Sequence, residues 1–331
     1  MKRIILGILL FGIIHNAKTC AFHFVPFGAD WDHSYLLNTY PFLQDGRNIG
    51  IINYQRIFQR SFTLDTPLPN LPSTITLREN ILTKSMFSRI YSSHRMQCNL
   101  AFSATDIRFD AISETGINKL HSWSTNEITF FGKFLLFERF KNKNHSYFFF
   151  DYGLQTALIS KHGIDNTIGW LKLEMDKITP RLLPCNYINN LSLGLSALID
   201  FKRMQINSSG NFCKYSQAKD GFIYGNEMNL SSTICYKAFV NNSTKIQLHE
   251  GFYFEHGWQD EFYKYISGIK VISAPCGLAQ GSDLFLSSGM NFQYNHISCF
   301  AKYYYPLWQK HFSEHQLFNQ SIFLTGIAYT F

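Results

Sequence analysis

The chain has 331 residues and a formal net charge of +7, with 16% charged residues against 17% aromatics, 32 of them Phe and 18 Tyr. Soluble domains carry about 25% charged residues, so an ordinary soluble domain is disfavoured. A mean hydropathy of −0.10 excludes a bundle of membrane helices, whose spans each need about 20 apolar residues, and the charge is too mild and scattered for a nucleic-acid binder.

In chain order, the first element is an export signal. Lys2 and Arg3 precede an apolar run, Ile4 to Ile14, and Thr19-Cys20-Ala21 places small residues around a cleavage site after Ala21. The run is too short to span a bilayer as a helix. Lipidation at Cys20 is disfavoured by Lys18, which stands where a lipidation motif wants a small or branched apolar residue. This predicts a signal peptide over 1–21, a periplasmic or plug segment over 22–45, and a single membrane-inserted domain over 46–331.

Beyond the signal, the pattern has period 2, because successive strand side chains point to opposite faces. Runs at Ile49–Phe58, Lys84–Tyr91, Arg95–Ala104 and Glu127–Arg139 come first. A clearer run sets Phe148, Phe150, Tyr152, Leu154 and Leu158 against Asp151, Gly153, Gln155 and Ala157. Leu191, Leu193, Leu195, Ala197, Ile199 and Phe201 then oppose Ser192, Gly194, Ser196 and Asp200. Met228, Leu230, Ile234, Tyr236 and Ala238 oppose Asn229, Ser231, Thr233 and Lys237. Lys245–His256 and Phe262–Ser273 follow. Leu284, Leu286, Met290, Phe292 and Tyr294 oppose Ser287, Gly289, Asn291 and Gln293. Ile297–Tyr305 and Gln320–Phe331 complete the set.

The best runs exceed the roughly 5–6 residues of soluble strands and reach the ~9–11 that a tilted membrane strand needs. Polar gaps predict outer loops at Thr63–Asn80, Asp110–Thr125, Ser160–Asn186 and Ile206–Gly225, and a short turn at Asn241–Ser243. The fold class expected is all-β: a transmembrane antiparallel up-and-down β-barrel of about 12 strands, within 10–14, even numbers being favoured for closure.

The polar faces nominate lumen-lining residues: Asp151, Gln155, Asp200, Asn229, Lys237, Asn291 and Gln293. They either set the selectivity of a pore or hydrogen-bond one another in a plugged interior; both alternatives stand at this point. No catalytic site is expected. His311-Phe312-Ser313, with Glu314 and His315 nearby, has the spacing of a serine hydrolase pair, but a solvated hairpin is the better account. His145-Ser146 and His121-Ser122 would face opposite sides of a strand. Asp30 and Asp32 flank Trp31, with His33 next, an arrangement open to a metal or catalytic reading, but a flexible periplasmic start is the better account. The six cysteines after the signal show no metal-type spacing, no cofactor signature is present, and neither cofactor nor metal is expected.

The chain ends Ile322-Phe323-Leu324-Thr325-Gly326-Ile327-Ala328-Tyr329-Thr330-Phe331, with Phe323, Ile327, Tyr329 and Phe331 on one face. A closing strand that stops on an aromatic resembles the C-terminal insertion signal of outer-membrane barrels. The chain also resembles the predicted outer-membrane transporters grouped with the phenol-degradation meta-pathway proteins, distant relatives of the long-chain fatty-acid transporter barrels. The similar segments are Glu127 to Phe134, His145 to Thr156, Ile223 to Asn229 and Gly281 to Phe331, the last carrying Tyr304-Tyr305-Pro306-Leu307-Trp308-Gln309 before the closing strand. Two family features, a Pro-Thr-Gly strand end near Ser160 to Gly163 and a Gly-rich strand start near Pro184 to Asn190, are eroded here.

The resemblance implies an outer-membrane channel for small solutes, hydrophobic ones among them, working by passive diffusion. Its partners would be outer-membrane lipid, periplasmic chaperones, the barrel-insertion machinery and an unidentified small-molecule solute, with no nucleic acid. A barrel whose long loops bind host or neighbouring molecules, and a barrel lipid hydrolase, are the alternatives.

Overall fold

The computed structural model describes residues 48–63, 74–93, 95–113, 116–141, 144–165, 189–215, 222–223, 226–258, 261–266, 269–272, 281–311 and 318–331. The expected signal peptide and plug segment lie outside them, as do residues 64–73 and 166–188.

The strands are β1 (Asn48–Thr63), β2 (Thr74–Ser92), β3 (Met96–Ser113), β4 (Gly116–Lys141), β5 (Asn144–Asp165), β6 (Asn189–Asp200), β7 (Met204–Tyr215), β8 (Phe222–Ile223), β9 (Glu227–Val240), β10 (Thr244–Gly257), β11 (Glu261–Ile266), β12 (Ile269–Ile272), β13 (Gly281–Tyr294), β14 (Ile297–His311) and β15 (Phe318–Thr330). Twelve of them close into an antiparallel barrel, and β8, β11 and β12 form a separate three-stranded sheet. The seam is β1 against β15, from Asn48 opposite Thr330 to Gln59 opposite Phe318. Closure leaves no free sheet edge, which hydrocarbon requires because it offers backbone groups no hydrogen bonds.

The barrel is sheared. A pairing row followed from Tyr54 through Thr83, Thr105 and Thr125 meets β5 at Ser160. In the other direction, through Leu324, Lys302, Gly289, His249, Cys235, Gln205 and Asp200, it meets β5 at His145. That offset is the stagger that tilts the strands of a closed barrel.

One rim carries both barrel ends of the chain and the tight turns. Asn295, with φ 48, occupies the two-residue β13–β14 turn, a conformation that Asn tolerates. At the β9–β10 turn, expected at Asn241–Ser243, the Asn241 side-chain oxygen accepts from the Ser243 backbone N–H at 2.9 Å. The opposite rim carries the long connections. It is called the long-loop end below, and the first the short-turn end.

Two segments changed places relative to the sequence expectation. Ile206–Gly225 was expected as a loop, yet β7 occupies Met204–Tyr215 and pairs with β6 and β9. Its Asn207-Ser208-Ser209-Gly210-Asn211 reads as a turn because small polar residues fall on both of its faces. Phe262–Ser273 was expected as a barrel strand and instead supplies β11 and β12 of the separate sheet, since apolar alternation serves a sheet outside the barrel as well. The total of twelve stands because the two exchanges compensate. The expected loop at Asp110–Thr125 is mostly paired strand, with β3 running to Ser113 and β4 starting at Gly116; the expected loops at Thr63–Asn80 and Ser160–Asn186 shrink because β2 starts at Thr74 and β5 runs to Asp165.

The wall is apolar outside and, along β6, β7 and β9, polar within. Leu193, Leu195, Leu230, Ile234, Leu248, Phe252, Met290 and Phe292 are exposed, Leu195 at 60%, whereas Ser192, Ser196, Asn207, Ser209, Asn211, Ser231 and Thr233 are buried. Water would penalise that exterior and lipid does not. Aromatic residues band both edges: Tyr236, Tyr294 and Tyr329 towards the short turns, Phe212, Trp258 and Trp308 towards the long loops. Gly132 marks a close approach of strands. A Cβ there would lie 2.0 Å from the Gln97 carbonyl oxygen, and the Tyr152 hydroxyl covers the position, donating to that same oxygen at 3.3 Å.

Glu250 breaks the outer pattern. It is exposed between Leu248 and Phe252 on the outer face of β10, and its carboxylate accepts a 2.7 Å hydrogen bond from Ser288 Oγ. Charged residues on the lipid face cost several kcal/mol for Arg or Lys and less for Glu. Glu250→Leu is therefore expected to stabilise the barrel by about 1 kcal/mol, read from urea unfolding in lipid vesicles; destabilisation would show that the carboxylate has a structural role.

A candidate functional site in the barrel lumen

The inward faces of the twelve strands build three kinds of surface. The first is apolar. Ile52 and Tyr54 of β1, Phe87 of β2, Ala101 of β3, Phe131 of β4, Tyr253 of β10, Phe285 of β13, Phe300 and Tyr304 of β14, and Ile322, Leu324 and Ala328 of β15 form one buried cluster. Tyr253 stacks on Phe285 with centroids 5.7 Å apart and meets Tyr304 edge-on at 5.8 Å, geometries that aromatic quadrupoles favour. The second is the polar wall of β6, β7 and β9, uncharged between Glu227 at one end and the Asp200–Lys237 pair at the other, where Ser209 and Ser231 share a hydrogen bond of 2.9 Å. Asn207 and His249 both contact Cys235 Sγ, at 3.6 and 2.8 Å.

The third surface is charged. Arg56 of β1 crosses the long-loop half of the lumen. Its guanidinium pairs through two nitrogens with the Glu255 carboxylate of β10, a fork geometry that matches two carboxylate oxygens. It also donates to Asn319 Oδ1 at 2.6 Å and lies 3.9 Å from Asp283. Asn319 in turn donates to Asp283 at 2.5 Å, and Tyr253 donates to Glu255 at 3.1 Å. In barrel order β15, β14 and β13 lie between β1 and β10, so the Arg56 network is a strut across the interior. Near the other end, Lys133 lies 3.4 Å from Asp151 and donates to Ser196 at 3.0 Å.

All seven nominated lumen residues fall on inward positions, and they do not form one cluster. Asp151 belongs to the Lys133 pair and accepts from Ser196 at 3.1 Å. Gln155 donates to Glu127 at 2.5 Å. Asp200 and Lys237 are an ion pair. Asn229 accepts from the Tyr253 hydroxyl at 3.2 Å, and Asn291 donates to Gln247 at 3.3 Å. Gln293 is half-buried near the β13–β14 turn. The strut itself was not anticipated, nor was the aromatic cluster. The available signal was parity: Arg56 shares a face with Tyr54, Glu255 with Tyr253, and Asp283 with Phe285.

Phe323, Ile327, Tyr329 and Phe331 are all outward-facing, and the rings of Tyr329 and Phe331 meet edge-on at 5.0 Å at the short-turn rim. Of the hydrolase residues considered, Ser313, Glu314 and His315 lie outside the described residues, as do Asp30 and Asp32. His145 contacts the Tyr147 hydroxyl at 3.4 Å. Among the described residues no group of three or more His, Cys, Asp or Glu could hold a metal ion, and Cys98, Cys213, Cys235 and Cys299 are free thiols. Cys185 and Cys276 lie outside those residues.

No family model matches the chain, and no curated protein matches it in sequence. Solved structures do. The transport unit of the autotransporter AIDA-I from Escherichia coli is similar at a TM-score of 0.47 and 10% identity, covering 91% of this chain and 95% of that one. A deltaS2S3 mutant of the TodX monoaromatic hydrocarbon channel gives 0.42 and 9%, covering 95% and 96%. An outer membrane channel from Pseudomonas putida F1 gives a TM-score of 0.55 at 10% identity, covering 89% of this chain and 99% of that one. At that identity the last likeness is one of fold alone, a closed antiparallel β-barrel.

Proposed function

We propose that the chain is an outer-membrane channel through which small solutes, hydrophobic ones among them, move by passive diffusion. The observation that carries this reading is the two-sided lumen. An aqueous ion pore has no use for the apolar cluster of Tyr54, Phe87, Phe285, Phe300 and Tyr304, which is packed against itself here, while a solute with an aromatic or aliphatic body gains from it where those rings part to admit it. The seven nominated polar residues, Asp151 to Gln293, would then orient and select solutes against that face. The fold shared with the Pseudomonas channel supports the reading.

The test uses a Gram-negative host lacking its general porins, whose lipopolysaccharide layer slows hydrophobic solutes. Expression of the full chain is expected to raise uptake of a labelled monoaromatic solute severalfold over the empty host. Uptake equal to that of the empty host rejects the channel. In the same cells the mature protein is expected to begin at Phe22, and an uncleaved N-terminus rejects the signal peptide.

A second reading, a surface protein that binds partners through its loops, is favoured by two observations: β3 and β4 stay paired to Ser113 and Gly116 at the long-loop end, and a separate three-stranded sheet is formed by β8, β11 and β12. Removing 259–273 without loss of uptake but with loss of cell-surface binding would support it.

A further inference from the structure

The inward charges of the described side chains are segregated along the barrel axis. In the long-loop halves of their strands stand Glu127, Glu227, Glu255 and Asp283, with Arg56 as their cation. Glu227, Asp283 and Arg56 all act electrostatically on Glu255, so these four groups share one neighbourhood, and Glu127 lies on the same half of the wall. In the short-turn halves stand Arg89, Lys133, Lys237, Lys245 and Lys302, with Glu138, Asp151 and Asp200 as their carboxylates. Lys245 and Lys302 both act on His249, and Lys237 and Asp200 act on Lys245. Among the described inward residues, carboxylates thus exceed cations at one end and cations exceed carboxylates at the other.

We propose that the lumen is a bipolar ion filter: the carboxylate zone turns back anions, the lysine zone turns back cations, and the solutes admitted carry no net charge. This rests on the channel reading and narrows its substrate class to neutral or zwitterionic molecules. The physical basis is that like charges repel strongly inside a narrow lumen with low-dielectric walls, where solvent screening is weak. Two opposite zones in series exclude each sign of ion at one step, whereas a single zone would pass one sign and concentrate it. A zwitterion or a neutral amphiphile meets no net barrier at either zone and keeps its contact with the apolar face.

The experiment is reversal-potential measurement on the reconstituted full chain in a planar bilayer under a KCl gradient. Two double variants spare the ion pairs Arg56–Glu255, Lys133–Asp151 and Lys237–Asp200. Glu127→Gln with Glu227→Gln leaves the lysine zone dominant and is expected to make the residual conductance anion-selective. Lys245→Gln with Lys302→Gln leaves the carboxylate zone dominant and is expected to make it cation-selective. Wild type is expected to conduct ions several-fold less than either variant, with little preference. If a double variant fails to show the gel shift of a folded barrel, Glu227→Gln and Lys302→Gln alone carry the same opposite signs. Shifts of the same sign in both variants, or no shift in either, overturn the filter while leaving solute uptake to speak for the channel. Absence of solute uptake in wild type overturns the channel itself.

Discussion

Arg56→Ala is expected to cost about 3–5 kcal/mol of barrel stability, the range for removing one partner of a buried ion pair. The substitution leaves Glu255 and Asp283 facing one another without their shared cation, and Asn319 Oδ1 without its donor at 2.6 Å. It also removes the packing of the guanidinium over the Phe58 and Phe285 rings, 4.6 and 5.9 Å from their centroids. Arg56→Lys keeps the charge but loses the fork and is expected to recover only part of the loss. Arg56→Ala with Glu255→Ala removes both charges and is expected to be milder than the sum of the single changes, because the two residues act as one unit. Urea unfolding in lipid vesicles measures the stabilities. Since the strut joins β1 to β10 across the interior, the double variant is also expected to show a larger single-channel conductance. An unchanged conductance in a folded double variant would show that the strut does not limit passage.

The barrel was legible because its outer face is repetitive: a wall in lipid is apolar at every second residue, and β5 and β6 obey that rule, while β9, β13 and β15 depart from it in mid-strand at Ser232, Ser288 and Thr325. The interior was less legible because nothing forces it to be uniform. Phe130-Phe131, Phe148-Phe149-Phe150 and Tyr303-Tyr304-Tyr305 put large rings on both faces, and there the period alone does not say which ring faces in. Phe131, Phe149 and Tyr304 do, and they are buried. The charge pairs were invisible for a different reason. Arg56 and Glu255 are 199 residues apart and meet only because closure through the β1–β15 seam brings β1 round to within a side chain's reach of β10. Adjacent-strand pairs such as Lys133 with Asp151 sit one hairpin apart, so register could have found them once the turn was placed. β7 was missed because its outer face weakens in mid-strand to Ser208, between Ala197 and Ser232, and to Gly210, between Leu195 and Leu230.

Deleting Phe331 is expected to lower the amount of folded, membrane-inserted barrel in cells several-fold while leaving the stability of the folded protein almost unchanged. The two effects separate because the seam does not need the residue. Thr330 is the last residue of β15 paired with β1, opposite Asn48, and its N–H donates to the His296 carbonyl oxygen at 2.9 Å. Phe331 is 70% exposed and touches Tyr329 edge-on, so its loss removes little packing, a fraction of the roughly 1.5–3 kcal/mol that full burial of such a side chain is worth. A purely structural role thus predicts a small change in both measurements. A recognition role predicts a large fall in assembly alone, because the outward row of Phe323, Ile327, Tyr329 and Phe331 is displayed on the unfolded chain before any barrel exists to bury it. The heat-dependent gel shift of membranes from expressing cells reads assembly, and urea unfolding of protein refolded into vesicles reads stability. Tyr329→Ala is expected to act in the same direction and to lower stability as well, since its ring also lies 5.9 Å from His296. Equal assembly with and without Phe331 would mean that the chain is recognised through another segment.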